Sequence, residues 1–507
     1  MKKLLSFLFS RIFSIGVIIL FQLLFILLIP LYFSAEVELI NIALRLLSLV
    51  MAVYVLNKAD LNPSYKMAWI IVILLFPLIG GMLYLLLGDK RIPKHLQLQH
   101  LVNFQKTSQI FRQNEKAMQE VAADNLHIHN QFDYLWRNTA FPTCDNNKVT
   151  YFSSGEVMFE AMLQAIKSAE NFIFLEYFII DSGYMWDSIR ELLLEKAAAG
   201  VEIRLLYDDF GTSFNFPLHY DRKLQLQGIN AKAFNPLRPL LAIQMNNRDH
   251  RKILIVDGKV AFTGGINLAD EYINRIAPLG YWKDGGVKIV GNGVFNFTLM
   301  FLQMFEVSLA SNAERYRYNH PQRYQDAIIC PFGDAPTDNE DVGKSVHMNI
   351  INHALESIYI TTPYLIIDEE MMAALTLAAK RGVEVNIVVP HIADKWYAHV
   401  ISQSNYYYLL KNGVKIYEYT PGFIHTKVVL ADDNIACVGT INLDFRSYYL
   451  HYECGVLIYR SACLKTIKQD LMQTITVSQA ITMKQLQEEN IFKRILQAIL
   501  NMLSPMM

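Results

Sequence analysis

Residues 250–268, HRKILIVDGKVAFTGGINL, and residues 425–443, HTKVVLADDNIACVGTINL, align without a gap and agree in eight of nineteen columns: His, Lys, Asp, Ala, Gly, Ile, Asn and Leu. Each copy follows the same series of local patterns. An apolar run reads as a buried strand (NFIFLEYFII, 171–180; SIYITTPYLII, 357–367). A 3.6-period stretch closed by glycine reads as a helix (SIRELLLEKAAAG, 188–200; MMAALTLAAKRG, 371–382), and another run as the next strand (VEIRLLYDD, 201–209; VEVNIVVP, 383–390). This duplication constrains the fold to two α/β halves, each a mixed sheet flanked by helices. The expected relation between them is a pseudo-two-fold, with one site where the two motifs meet.

Strand geometry gives the motif its chemistry. Residues i and i+2 of a strand face the same way, so His250 and Lys252 share a face, as do His425 and Lys427. Imidazole beside an ammonium suits a phosphodiester. The ring nitrogen attacks phosphorus, and the lysine charge offsets the negative charge that gathers on oxygen in the transition state. Two histidines are needed, one neutral to attack and one protonated to release the leaving alcohol, and an ordinary pKa near 6.5 allows both. An ammonium has no lone pair for a metal, so no metal or organic cofactor is expected.

The remaining motif members divide by place. Asn267 and Asn442 are candidate donors to phosphate oxygens, and Gly264 and Gly439 let the backbone come close. Asp257 and Asp432 fall at hairpin corners, Asp257-Gly258 being a hairpin-turn signal. With His250, Lys252, His425 and Lys427 they make up the six-residue signature of candidate catalytic positions that the repeat carries at His-x-Lys-x4-Asp spacing, and their expected role is to hold the motif in shape. Downstream, Asp284 in YWKDGGVKIV and Glu453 in HYECGVLIY are candidates to orient the histidines from behind. The five cysteines form no CxxC pair and read as packing residues rather than a zinc site or disulfide framework.

Apolar residues make up 52% of the 507 and charged ones 18%, with a net charge of −1. That balance gives no basic field for nucleic acid. The apolar excess concentrates near the N-terminus, in segments 12–33, 39–56 and 67–87, each long enough to span a bilayer at about 1.5 Å per residue. A signal peptide would have a shorter apolar region and a small-residue cleavage site. Arg45 snorkels from the second segment, and Trp69 and Tyr84 are the expected interfacial anchors of the third. The domain order is then a membrane anchor (1–90), a connector (91–148), a first half (149–330), a second half (331–480) and a C-terminal amphipathic helix (481–507).

The paired motifs, with NPSYKMAWIIVILLFPLIGGMLYLLLG, EYFIIDSG, GVEIRLLYDDFG, NRDHRKILIVDG, GGINLADEY, GFIHTK and the closing MLSPMM, resemble the phospholipase D superfamily, and within it the bacterial cardiolipin synthases. The resemblance runs from about residue 39 to the C-terminus; the first apolar segment is an addition to it. It implies phosphatidyl transfer between two phosphatidylglycerol molecules, with His250 as nucleophile and His425 as acid and base, in the cell membrane. A hydrolase or a transferase to another alcohol would carry the same motifs. A nuclease does not suit the apolar segments, and a non-catalytic scaffold would not need two intact motifs. Flanking lysines and arginines, five against three, place the N-terminus inside and the bulk outside. The resemblance and the basic exit DKRIPKH argue for a cytoplasmic site, which is the expectation taken.

Overall fold

The computed structural model describes residues 37–506 apart from 60, 89–93, 213–215, 217–218, 237–246, 307–312 and 338–339. The described residues fall into two compact units. One holds the apolar helices of residues 37–88 and the C-terminal turn; the other holds Lys94–Pro236 and Asn247–Ala498.

In the first unit, helix Val37–Leu56 is the one described helix long and apolar enough to cross a membrane, with mean hydropathy 2.2 from Glu38 to Leu56. The uninterrupted span expected over 67–87 is broken. Helix Pro63–Leu75 is capped by the Asn62 side chain and stops at Phe76, because Pro77 offers no N–H and pushes the residue before it out of the helical region (φ −127°, ψ 75°). Helix Pro77–Leu83 and a π-turn, Tyr84–Gly88, follow. Trp69 and Tyr84, expected at the interface, are instead buried against each other, rings 5.5 Å apart and edge to face, in a cluster with Val55, Tyr65 and Ile73. The expected span at 12–33 lies outside the described residues.

The second unit opens with helices Lys94–Ile110, Glu115–Asp124 and Leu126–Thr139. The first copy then supplies β1 (Cys144–Phe152), β2 (Phe172–Tyr177), β3 (Glu202–Asp208), β4 (Asn230–Phe234), β5 (Lys252–Val256), β6 (Val260–Gly264), β7 (Tyr281–Lys283) and β8 (Gly286–Gly291). The second supplies β9 (Ala327–Asp334), β10 (Ser357–Thr361), β11 (Leu365–Ile366), β12 (Glu384–Pro390), β13 (Lys415–Tyr419), β14 (Gly422–Ile424), β15 (Val428–Ala431), β16 (Ile435–Gly439), β17 (Leu443–Asp444) and β18 (Glu453–Tyr459), with β19 (Ser478–Ala480) at the edge. Thus β1 starts inside the stretch read as connector, and β9 straddles residue 330.

Fifteen strands make one mixed sheet, β19-β13-β12-β10-β15-β16-β18-β9-β1-β8-β6-β5-β2-β3-β4. Leaving out β19, the order from β13 inward to β9 repeats the order from β4 inward to β1, copy for copy, and β1 meets β9 antiparallel at the centre. The outer strands of each copy, β2-β3-β4 and β10-β12-β13, run parallel, joined by crossover helices Tyr184–Ala198 and Glu369–Lys380. Both helices are followed by a glycine at positive φ, Gly200 (91°) and Gly382 (95°), where a side chain would be strained.

The apolar run FIFLEY of β2 is buried on both faces, as a strand covered by helices on each side must be. Phe172 and Phe174 enter the core that holds helix Val294–Phe305, with Phe174 stacked on Phe301 at 4.7 Å. Ile173 and Leu175 enter the opposite core with helices Gly155–Lys167 and Tyr184–Ala198. Each such side chain contributes about 1.5–3 kcal/mol on burial. The expected C-terminal helix is two pieces: Met483–Gln487, opened by a Thr482/Gln485 capping box, and Ile491–Leu503, on which Ile491, Phe492 and Ile495 are exposed.

Candidate active site

The two motifs are antiparallel hairpins whose turns are built alike. Asp257 and Gly258 (φ 53° and 65°) and Asp432 and Asp433 (φ 49° and 55°) are the central residues of turns closed by Lys259 N–H to Val256 O and Asn434 N–H to Ala431 O. Positive φ at both centres is the turn that matches strand twist. The Asp257 carboxylate accepts from the amides of Glu170, Asn171 and Phe172 at 2.7–3.0 Å, and the Asp432 carboxylate from those of Leu355, Glu356 and Ser357 at 2.7–3.0 Å. Both aspartates fasten a hairpin to the start of the neighbouring strand. Five residues at about 3.3 Å each separate them from the lysines. The structure therefore sets Asp257 and Asp432 apart from the cluster that the other four signature residues form.

That cluster is stitched across the copies. His250 N–H donates to Tyr452 O (2.9 Å), one residue before Glu453, and His425 N–H donates to Lys283 O (2.8 Å), one residue before Asp284. β14 runs parallel to β7, pairing Phe423 with Trp282 and Ile424 with Lys283. These two short pairings bring each histidine to the carboxylate of the other copy. His250 Nδ1 lies 2.9 and 3.0 Å from the Glu453 oxygens, and His425 Nδ1 lies 2.7 Å from Asp284 Oδ2. With Nδ1 carrying the hydrogen toward a carboxylate, Nε2 of each ring keeps its lone pair. Lys252 Nζ donates to His250 O at 2.6 Å, and Lys427 Nζ donates to His425 O.

The carboxylates are themselves held. Glu453 also accepts from Ser447 Oγ (2.7 Å) and Thr440 Oγ1 (2.5 Å), and Asp284 from Gly285 N–H (2.8 Å). Thr440 stands in the repeat column of Gly265, and a Cβ on Gly265 would come within 2.2 Å of Asp284 Oδ1. The motif glycines serve the sheet: a Cβ on Gly264 or Gly439 would strike the next strand at Gly285 O or Cys454 O, each at 2.3 Å. The close approach assigned to the phosphate is thus an approach to β8 and β18. Asn267 is tied internally, its Oδ1 to Ile179 N–H (3.0 Å) and its Nδ2 to Tyr272 OH (2.6 Å). Asn442 Oδ1 is buried with no hydrogen-bond partner among the described residues.

Burial dominates the electrostatics. It pushes both imidazoles well below their ordinary value, reinforced at His250 by the charges of Lys252, Lys427 and His425 and at His425 by Lys427 and Lys252. Burial also lowers Lys252 to about 8 against the pull of Glu453, and Lys427 to about 7 against Asp284. It raises Asp284 to about 7 against Lys427. A site in which every charged form is penalised by burial gains most from an incoming anion, which favours the protonated lysines and one protonated histidine. His250, His451 and Glu453 also bring three donor atoms within 4.8 Å of one another, a set with the chemistry to hold a transition metal. Two lysine charges beside it oppose a cation.

The residues match a family description, "Cardiolipin synthase, PLD-like domain", over 162–277 and 348–475, and residues 46–88 match "Phospholipase_D-nuclease N-terminal". A Streptococcus mutans protein without an assigned role is 41% identical over 460 residues, 90% of this chain and 99% of that one. A cardiolipin synthase of Clostridium perfringens is 32% identical over 454 residues, 88% of this chain and 95% of the relative. The chain belongs to the cardiolipin synthase family. Its members are built as phospholipase D-type phosphatidyltransferases, and this chain is such an enzyme. The fold agrees with phosphatidylserine synthase of Haemophilus influenzae, which superposes with a TM-score of 0.57 at 13% identity, covering 74% of this chain and 97% of that one.

Several residues of this site are absent from the sequence reading. Phe178 packs edge-on to His250 at 5.1 Å, and Tyr272, Trp282 and Phe423 ring His425 at 5.5, 5.6 and 5.9 Å. On the far side of β5, Arg251 donates to Glu453 O (2.9 Å) and Asp334 O (3.1 Å), tying the copies together. Alternation along the chain was the available signal for Trp282 and for His451, which neighbours His250. Trp282 lies two residues before Asp284 and His451 two before Glu453, so each shares a face with its carboxylate.

Proposed function

We propose that the chain is a cardiolipin synthase that transfers a phosphatidyl group from one phosphatidylglycerol to another, with its two halves related by a pseudo-two-fold. His250 Nε2 attacks phosphorus, the P–O bond to glycerol breaks, and His425, protonated, gives its hydrogen to the departing oxygen. The product of this half-reaction is phosphatidyl-His250 and free glycerol. A second phosphatidylglycerol enters, His425 takes the proton from its glycerol hydroxyl, and that oxygen displaces the histidine to form cardiolipin. Lys252 and Lys427 offset charge on the phosphate oxygens. Glu453 and Asp284 keep each ring in the required tautomer and stabilise the imidazolium when it forms. Asp257 and Asp432 hold the hairpins in register.

The observation that carries this reading is the crossed pairing of each histidine with the other copy's carboxylate, which puts two poised imidazoles into one site. The cardiolipin synthases among its relatives support cardiolipin as the product. Helix Val37–Leu56, with its exposed apolar residues, supports attachment to the bilayer where the lipid lies; we also propose several crossings and a cytoplasmic site. Incubating the purified protein with phosphatidylglycerol alone tests the reaction: cardiolipin and an equal amount of glycerol are expected. Phosphatidic acid as the sole lipid product would instead assign a hydrolase.

A further inference from the structure

The two flanks of the site differ. Gly264 pairs with Gly286 and Gly439 with Gly455, so Trp282 and His451, each four residues before its glycine, occupy equivalent places. Trp282 stands in the aromatic collar of His425, whereas the His451 ring lies 5.4 Å from that of His250. Arg446 Nε donates to His451 Nε2 at 3.3 Å, which leaves the hydrogen on Nδ1. That Nδ1 is buried, with no hydrogen-bond partner among the described residues, and lies 3.8 Å from Glu453 Oε1. Burial holds the ring neutral, its pKa lowered to about 3.

Asn442 borders the same carboxylate. Its N–H donates to Ser447 Oγ (3.2 Å), and Ser447 Oγ donates to Glu453 Oε1 (2.7 Å). Its Oδ1 is buried and unpaired among the described residues, whereas Asn267, in the same repeat column, has both ends of its side chain engaged. Buried polar atoms without partners are rare, and a ligand is one way to satisfy them. The His250 flank therefore presents a neutral donor and a neutral acceptor, where the His425 flank presents aromatic faces and one indole N–H.

We propose that His451, with Asn442 beside it, reads the headgroup alcohol of the phosphodiester at His250, taking a headgroup with free hydroxyls that accept from His451 Nδ1 and donate to Asn442 Oδ1. This rests on the phosphatidyl-transfer reading above. A phosphate oxygen only accepts and is already served by two lysines; a hydroxyl does both. A site that hydrogen-bonds a hydroxyl rejects the analogue without it far more strongly than an apolar pocket rejects a change of one methylene.

The test uses the full chain in mixed micelles with a fixed excess of unlabelled glycerol as the common acceptor, and as donor either phosphatidylglycerol or phosphatidylpropanol with a labelled headgroup, the latter keeping the headgroup size without hydroxyls. Alcohol release is measured. Wild type is expected to favour phosphatidylglycerol in kcat/KM by about 100-fold or more. His451→Leu should cut that preference at least about ten-fold, through phosphatidylglycerol alone, and His451→Asn, which keeps a donor, should retain most of it. Where His451→Leu loses its cooperative thermal transition, His451→Phe, closer in volume, takes its place. An equal fall for both donors, carried by kcat, would place His451 in the chemistry through Glu453 and overturn the proposal; an unchanged preference would overturn it too. Wild type that frees neither alcohol would defeat the phosphatidyl-transfer reading, and this proposal with it.

Discussion

His250 Nδ1 lies 2.9 Å from Oε1 of Glu453, a residue 203 positions later in the chain and in the other copy of the repeat. Neither copy is a complete site alone, since each supplies a histidine to one pair and a carboxylate to the other. Replacing Glu453 by Gln removes the charge that stabilises the His250 imidazolium. It should lower kcat by about 10²–10⁴-fold. Asp284→Asn should do the same through His425. Thermal unfolding checks that each variant is folded, and steady-state glycerol release reads the loss.

Either His250→Ala or His425→Ala should end turnover with little change in melting temperature, since both side chains face the site. Chelators should leave wild-type activity intact. Activity that is lost on stripping and returns with a divalent metal would instead make His250, His451 and Glu453 a metal site.

Asp257→Asn should be milder for catalysis than His250→Ala. The asparagine can take the same turn, but it replaces a carboxylate that accepts three amides. The expected cost is about 1–3 kcal/mol of stability. A comparison of melting curves and kcat separates the two effects; a well-folded Asp257→Asn as inactive as His250→Ala would show that the charge itself acts in the reaction.

Lys252 and Lys427, lowered by burial to about 8 and about 7, predict a pH dependence with opposite signs for activity and stability. The unfolded chain keeps these lysines protonated up to an ordinary value near 10.5. Between about pH 7 and 10.5 it therefore binds more protons than the folded chain, and on their account stability rises with pH. Activity needs the charged ammonium, so kcat/KM should fall as pH rises through 7–8 while the melting temperature does not. In Lys427→Arg, where the guanidinium stays protonated, the decline should move from about pH 7 toward about pH 8, where Lys252 loses its charge.

The orientation of the site is open to labelling because all five native cysteines are buried. A cysteine placed at Lys116, whose side chain is exposed, should stay unlabelled by a membrane-impermeant reagent in intact cells and react after permeabilisation. Labelling in unbroken cells would put the site outside.

What could be read from the sequence was local. The repeat shows His, Lys, Asp, Gly and Asn at matched spacing because each copy carries them on or beside one hairpin, and the Asp257-Gly258 turn announced its own geometry. The crossed pairing was not legible, since it depends on β14 lying beside β7 and on His250 N–H reaching Tyr452, contacts between segments 141 to 203 residues apart. The sequence alone assigns Gly264 and Gly439 to the ligand, because it does not show that β8 and β18 press on them. Trp69 and Tyr84 were read as membrane anchors for a similar reason: the break at Phe76 and Pro77, which folds one ring onto the other, has to be known first.

The central claim is that the two histidines divide one phosphatidyl transfer between them, with His250 carrying the group. It is tested most directly by rapid quenching of the Asp284→Asn variant with phosphatidylglycerol, followed by proteolysis and mass spectrometry under conditions that preserve phosphoramidates. Slowed proton transfer at His425 lengthens both half-reactions, so quenching within the first turnover should catch the intermediate. The account predicts a phosphatidyl adduct on the peptide that contains His250, lost on adding excess glycerol. An adduct on His425, or cardiolipin formed with no adduct on either histidine, would contradict it.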